Sequence, residues 1–253
     1  MEIYVEKVIT RFEAGDRDEV KDFIAVERRL VLFVNNVETL SLYCSPVMVR
    51  ELVTGFLMTE GIIKGSWCTE KMVIEHGESM IRVSLDTEAE VSTTGRTITS
   101  GCVGGVTFAR PVPGRMQMGD FTVSPDILMR LFRVFQSRSD SYRNTGCIHS
   151  AALADCSSLL VLAEDIGRHN AVDKVIGHCL INDIPFTDKI LLLSGRLSSE
   201  IGTKCSRWEI PVVVSRTAPT LLSVSIAQER GITMVGFMRG ERFNVYSHPH
   251  RIS

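Results

Sequence analysis

Between residues 159 and 230 one arrangement occurs three times: a short apolar segment, a polar turn containing an arginine, and a segment of helical period. Leu159 to Ala163 passes through Glu164-Asp165-Ile166-Gly167-Arg168 into His169 to Leu180, where Ala171, Val172, Val175 and Ile176 share one face. Lys189 to Leu193 passes through Ser194-Gly195-Arg196 into a helix from Leu197 to about Ser206. Pro211 to Val214 passes through Ser215-Arg216-Thr217 into Pro219 to Glu229. Strands that are apolar throughout need cover on both faces, and their alternation with helices predicts a parallel sheet inside a three-layer α/β domain. Thr233 to Gly236 and Phe243 to Tyr246 read as a closing strand pair across residues 237–242.

The first half has a different rhythm. Arg29 to Val34 and Val37 to Cys44 flank Asn35-Asn36, a pair that tolerates hairpin geometry. A helix is predicted next, with Pro46 in its first turn, Val49, Leu52, Val53, Phe56 and Leu57 at helical spacing, and Gly61 at its end. Lys71 to Glu75 and Met80 to Leu85 add two strands, so this half reads as a smaller α+β domain. Thr87 to Gly105 lacks apolar periodicity and is expected to be a mobile loop; Pro111, Pro113, Gly114 and Gly119 suggest a linker. Ser124-Pro125 then starts a helix to about Gln136, which places the boundary near 120 and divides the chain into 1–120 and 121–253.

Charge and cysteine usage restrict function. The 253 residues carry 28 basic and 30 acidic side chains, a formal charge of −2, which argues against charge-driven nucleic-acid binding. Leu30 to Val34 and Leu159 to Ala163 are the longest apolar runs, well short of the roughly 20 residues of a membrane helix. Acidic residues near the N-terminus do not fit a signal peptide, so the expectation is a cytoplasmic protein without membrane association. The 7 cysteines are Cys44, Cys68, Cys102, Cys147, Cys156, Cys179 and Cys205, an odd number with no CxxC pair. That pattern fits a reducing compartment and supports neither a paired-cysteine zinc site nor a thioredoxin-like motif.

In open α/β sheets ligands bind at the carboxyl ends of the strands, beside helix N-termini. Each repeated turn supplies an arginine there, Arg168, Arg196 and Arg216, with Arg239 and Arg242 in the last turn and Ser194 and Thr217 as hydroxyl partners. His169, at the start of its helix, is a further candidate anion contact. One turn arginine is ordinarily solvated or paired, here with Glu164, Asp165 or Glu200 as the available acids. Recurrence at equivalent positions favours a site for phosphate oxygens, to which guanidinium groups bond in pairs.

Cys102 lies in Ser100-Gly101-Cys102-Val103-Gly104-Gly105, between glycines and within reach in sequence of Arg96 and Arg110, and is the best nucleophile candidate. Cys44, Cys156, Cys179 and Cys205 fall in apolar periodic segments and read as packing residues. Cys147 with His149 is a second candidate pair, although a structural role at a helix start is favoured because nothing nearby in sequence orients the imidazole. His248 and His250 make no metal site, and none is expected elsewhere.

Glu164-Asp165-Ile166-Gly167-Arg168-His169-Asn170-Ala171-Val172-Asp173-Lys174 resembles the EDxGRHNAxDK signature of the FdhD family of formate dehydrogenase accessory proteins. Further blocks agree: Gly55-Phe56-Leu57 with Glu60-Gly61-Ile62-Ile63, Thr145-Gly146 with His149-Ser150-Ala151-Ala152, and Ser215-Arg216-Thr217-Ala218-Pro219-Thr220. The resemblance implies a cytoplasmic sulfurtransferase whose loop cysteine, Cys102, takes sulfur as a persulfide from a cysteine desulfurase. The sulfur then passes to the molybdenum bis(molybdopterin guanine dinucleotide) cofactor before its insertion into formate dehydrogenase. It also implies a homodimer, a C-terminal domain resembling the cytidine deaminase fold, and GDP as a mimic of the bound cofactor. In the family's pattern Phe237, Met238, Arg239, Gly240, Glu241 and Arg242 belong to the cofactor site. A non-catalytic chaperone that delivers the cofactor is the alternative. This chain departs from the family's CGxCG loop, since Gly105 stands where the second cysteine would be. The deaminase zinc signature is also absent, because Ser150-Ala151 follows His149.

Overall fold

A computed structural model describes residues 1–63, 69–89, 96–98, 106–108 and 119–253, with backbone alone at 96–98 and 106–108. Its elements run β1 (Tyr4–Glu13), β2 (Asp16–Ala25), β3 (Arg28–Val34), β4 (Val37–Cys44), α1 (Val49–Thr59), β5 (Val73–His76) and β6 (Met80–Leu85). Then come β7 (Arg96–Ile98), β8 (Val106–Phe108), α2 (Pro125–Ser137), α3 (Asp140–Thr145), β9 (His149–Ala154), β10 (Leu159–Asp165) and α4 (Arg168–Ile181). The chain finishes with β11 (Ile190–Leu193), α5 (Ser199–Arg207), β12 (Val212–Ser215), α6 (Leu221–Arg230), β13 (Thr233–Arg239) and β14 (Arg242–Ser247). Cys102 and the 109–118 segment fall outside the described residues. None of the described helices is long and apolar enough to cross a membrane.

The fold is mixed α/β. Six strands form the larger sheet in the order β10-β9-β11-β12-β13-β14. Alternate side chains serve opposite faces: Leu191, Leu193 and Val213 join α4, α5 and α6, while Ile190, Leu192, Val212 and Val214 meet Leu128, Leu131, Phe132 and Phe135 of α2. Cover on both faces is why these strands carry no polar positions except at their ends. The helix start at Ser124-Pro125 is fixed by Ser124, whose side chain accepts from the Ile127 N–H with proline at the first position.

The sheet departs from the expected parallel repeat at one strand, β9, while the closing pair across residues 237–242 is present as β13 and β14. β11, β12 and β13 are parallel, but β9 lies antiparallel between β10 and β11, and β14 is antiparallel at the other edge. Because β9 is antiparallel to both neighbours, β10 still points the same way as β11. All three repeated turns therefore emerge at one sheet edge, and β9 begins at that edge.

The smaller sheet, in the order β4-β3-β6-β5, packs its apolar face on α1. α1 starts at Val49 after Met48, which adopts a left-handed backbone with φ 53, so Pro46 precedes the helix instead of forming its first turn. The two halves meet where α1 crosses α4. Trp208 Nε1 donates to Thr59 Oγ1 at 3.1 Å across the same junction. The β1–β2 ribbon stands apart from both sheets, with Asn144 Nδ2 donating to the Tyr4 hydroxyl at 3.1 Å.

Candidate functional site

A cavity of about 670 Å³ opens at the carboxyl edge of the larger sheet. Its lining includes Arg143, Arg168, Arg196, Arg216 and Arg239 together with His149, Ser194, Gly195, Thr217, Ser139, Gln136, Tyr142, Phe132 and Phe135, with no acidic residue among the described residues that line it. Arg168 is buried at the first position of α4; the other four arginines are exposed. The nearby acids have partners of their own. Asp165 pairs with Lys174 at 2.6 Å, Glu200 faces His169 at 3.8 Å, and Glu164 accepts from the hydroxyls of Ser141 and Ser150. Arg143 is held by Asp140 and the Ser137 carbonyl.

Short bonds tie the strand ends into one rim. Ser194 N donates to the Ser150 carbonyl at 3.0 Å, and Ser150 N donates back to Ser194 Oγ at 2.9 Å. Ser215 Oγ donates to the Gly195 carbonyl at 2.6 Å and accepts from Thr217 N at 3.0 Å. Phe237 N donates to the Thr217 carbonyl at 3.1 Å, which connects β13 to the same rim. A side chain at Gly195 would press on Arg168 Cβ at 3.1 Å and His149 Nδ1 at 3.3 Å, so glycine lets both approach the turn.

Of the residues expected at the site, Arg168, Arg196, Arg216, Arg239, Ser194 and Thr217 line the cavity. Met238 turns into the core, Phe237 takes a positive φ of 52 with its ring beneath the Arg239 guanidinium, and Gly240, Glu241 and Arg242 continue the exposed turn outside the lining. His169 is turned away toward Ser198 Oγ at 3.2 Å and Glu200. Burial, with the charges of Lys204 and Arg168, holds its imidazole down at about 3, so it is neutral and is not a cationic anion contact.

His149 is the residue whose place the sequence left open. It begins β9, opposite Asp165, and its Nδ1 lies 3.2 Å from Ser194 Oγ, a partner 45 positions away in sequence that orients the ring. The element it starts is a strand and not a helix. Cys147, two residues earlier, is exposed and outside the cavity lining. Burial pushes the thiols of Cys44, Cys179 and Cys205 up to about 12, which leaves them inert as nucleophiles at neutral pH.

Most of the Glu164-to-Lys174 segment does structural work. Asp165 Oδ1 accepts from Gly167 N and Asn170 Nδ2, its Oδ2 accepts from Ser45 N, and Lys174 Nζ donates to the carbonyls of Ser45 and Glu164. Asp173 shares Lys204 with Glu60 of the first half. Arg168 alone in this segment lines the cavity, so the segment couples the cavity edge to the smaller sheet.

The FdhD/NarQ family model matches residues 25–253. This chain belongs to that family. It is 36% identical over 250 residues to the sulfur carrier protein FdhD of Bacillus subtilis (strain 168), covering 96% of this chain and 95% of that relative. It is 34% identical over 261 residues to the protein of the same name from Listeria monocytogenes serovar 1/2a, covering 100% of each. The crystal structure of a candidate formate dehydrogenase accessory protein from Desulfotalea psychrophila superposes with a TM-score of 0.80 at 27% identity over 100% of both chains.

Proposed function

We propose that this family member carries sulfane sulfur on Cys102 and passes it to the molybdenum bis(molybdopterin guanine dinucleotide) cofactor, its substrate, for use by formate dehydrogenase. The observation that carries this reading is the convergence of Arg143, Arg168, Arg196, Arg216 and Arg239 on one cavity with no acid among the described residues of its lining. Pyrophosphate oxygens suit paired guanidinium donors, and Phe132 and Phe135 supply an apolar wall for a planar ring. The name of the relatives, sulfur carrier protein, supports the sulfur-transfer role, and the accessory-protein description of the structural neighbour supports formate dehydrogenase as the beneficiary.

In this reading a cysteine desulfurase is the donor, GDP mimics one arm of the cofactor, and the working unit is a cytoplasmic homodimer. The Cys102 thiolate attacks the outer sulfur of the donor persulfide, and the donor cysteine leaves as a thiolate. The acceptor then supplies an electron pair to the outer sulfur on Cys102, the S–S bond breaks, and Cys102 departs with its pair. Neither step requires a second loop cysteine, which is consistent with Gly105.

Mass spectrometry after incubation with a desulfurase and cysteine is expected to show one added sulfur atom on the peptide containing Cys102. Labelling confined to another cysteine would overturn the assignment. Gly105 also favours a second reading, a non-catalytic cofactor chaperone, and Cys102→Ser separates the two. Full restoration of formate dehydrogenase activity by that variant would establish the chaperone.

A further inference from the structure

Among the described residues, the cavity lining holds five arginines and one imidazole, that of His149. The imidazole is held at Nδ1 by the turn after β11: Gly195 lets the turn approach that atom, and Ser194 Oγ lies 3.2 Å from it. Ser194 Oγ accepts the Ser150 N–H at 2.9 Å, and in the neutral ring its hydroxyl can donate to an unprotonated His149 Nδ1. The ring itself lines the cavity. A hydroxyl both donates and accepts, so rotation of the Ser194 proton lets the same oxygen accept from Nδ1–H once the ring is protonated. The support therefore fits both charge states of the ring without moving a heavy atom.

We propose that His149 is the proton-accepting residue of this cavity, taking up a proton when a polyanion enters so that ligand binding and protonation are coupled. The inference rests on the reading of the cavity as a site for a pyrophosphate-bearing ligand. The charges around the ring set its sign. Arg168 at the start of α4 and Arg196 after β11 oppose the imidazolium, Asp165 on β10 favours it, and His169 on α4 is neutral. Arg143, Arg216 and Arg239 add positive charge from α3, the turn after β12 and β13. Burial first, then Arg168 and Arg196, hold the imidazole below its ordinary range in the free protein. A bound polyanion offsets the arginines and attracts the imidazolium, which moves the group upward. Binding then takes up a proton, and affinity rises as pH falls until His149 is protonated without ligand.

The test uses P1,P2-di(guanosine-5′) pyrophosphate, whose doubly esterified pyrophosphate has no proton to exchange near neutrality. Calorimetry in buffers of different ionisation enthalpy is expected to show uptake approaching about one proton per ligand, with affinity falling as pH rises by up to about tenfold per pH unit between the free and the ligand-bound titrations of His149. His149→Gln is expected to bind the ligand with no proton uptake and a flat pH profile. Nitrogen-15 spectra of the histidine rings in the unmutated protein provide a reading independent of the variant's folding. They should show a neutral His149 ring at neutral pH that becomes imidazolium on ligand addition. Binding without proton uptake, or the same uptake in His149→Gln, would overturn the role of His149 and leave the cavity assignment standing. Absence of binding to the unmutated protein at every pH would overturn both.

Discussion

Gly55 of α1 and Gly177 of α4 meet backbone to backbone. A Cβ added at Gly55 would fall 1.9 Å from the Asp173 carbonyl oxygen and 2.9 Å from Gly177 N, and one at Gly177 would fall 1.9 Å from the Glu51 carbonyl oxygen. This crossing joins the smaller sheet to the helix that begins with Arg168, so the distance between the two halves is set by the absence of two side chains. Gly55→Ala is expected to cost about 3 kcal/mol or more, because the obstructing atoms are backbone and cannot rotate aside. Urea denaturation should show a lower midpoint, whereas Gly119→Ala, with open space at its Cβ, should stay within about 0.5 kcal/mol of the parent.

Lys174→Met tests the second tie across the junction. It would leave the Asp165 carboxylate buried without the ammonium now 2.6 Å away, and would strip the Ser45 and Glu164 carbonyls of a donor. A loss of about 3–5 kcal/mol is expected, the range for breaking one side of a buried pair. Denaturation at neutral pH measures it, and a cost below about 1 kcal/mol would mean the pair contributes little to docking the halves.

What the sequence revealed and concealed follows from the range of each interaction. The strand–turn–helix repeat was legible because burial on both faces leaves continuous apolar runs, and the arginine turns lie at fixed places within them. β9 was not, since Ser150-Ala151-Ala152-Leu153-Ala154 is rich in a helix-forming residue and becomes a strand only by pairing with β10 and β11. Missing β9 meant missing His149 as a cavity residue. The β1–β2 ribbon escaped for another reason: charged residues occupy both of its faces and neither is packed into a core, so no clean alternation marks it. His169 misled because adjacency to Arg168 suggests shared work, whereas the first turn of α4 sends the two side chains to different partners. Gly55 and Gly177 did leave a signal, as glycines inside helix-period segments that favour other residues.

His169 should give the protein an acid-sensitive limb. Its imidazole is held down to about 3, against 6.5 as the ordinary value, so between those limits the unfolded chain binds the extra proton and the folded chain does not. Stability from this group is therefore complete above about pH 6.5 and is lost as pH falls toward 3, at up to about 1.4 kcal/mol per pH unit. His169→Gln, which can still bond Ser198, should flatten that limb in denaturant titrations across the window. An unchanged slope would assign the acid sensitivity to other groups.

The cavity assignment is tested most directly by its exposed arginines, which can be removed without opening the core. Arg196, Arg216 and Arg239 come from three different strand ends, so a ligand that touches all three must span the rim. Each alanine substitution is expected to weaken GDP binding by about tenfold or more, the magnitude of a lost hydrogen bond to a charged group. The protein's stability should change little, since these side chains lie in solvent. Arg17→Ala, on the β1–β2 ribbon, is the matched control for loss of one positive charge and should leave affinity unaltered. Raising the salt concentration should weaken binding to the parent and have a smaller effect on each cavity variant, because fewer screened contacts remain. Equal GDP affinity in the parent and all three cavity variants, measured by calorimetry at low salt, would show that the arginines share an edge without sharing a ligand.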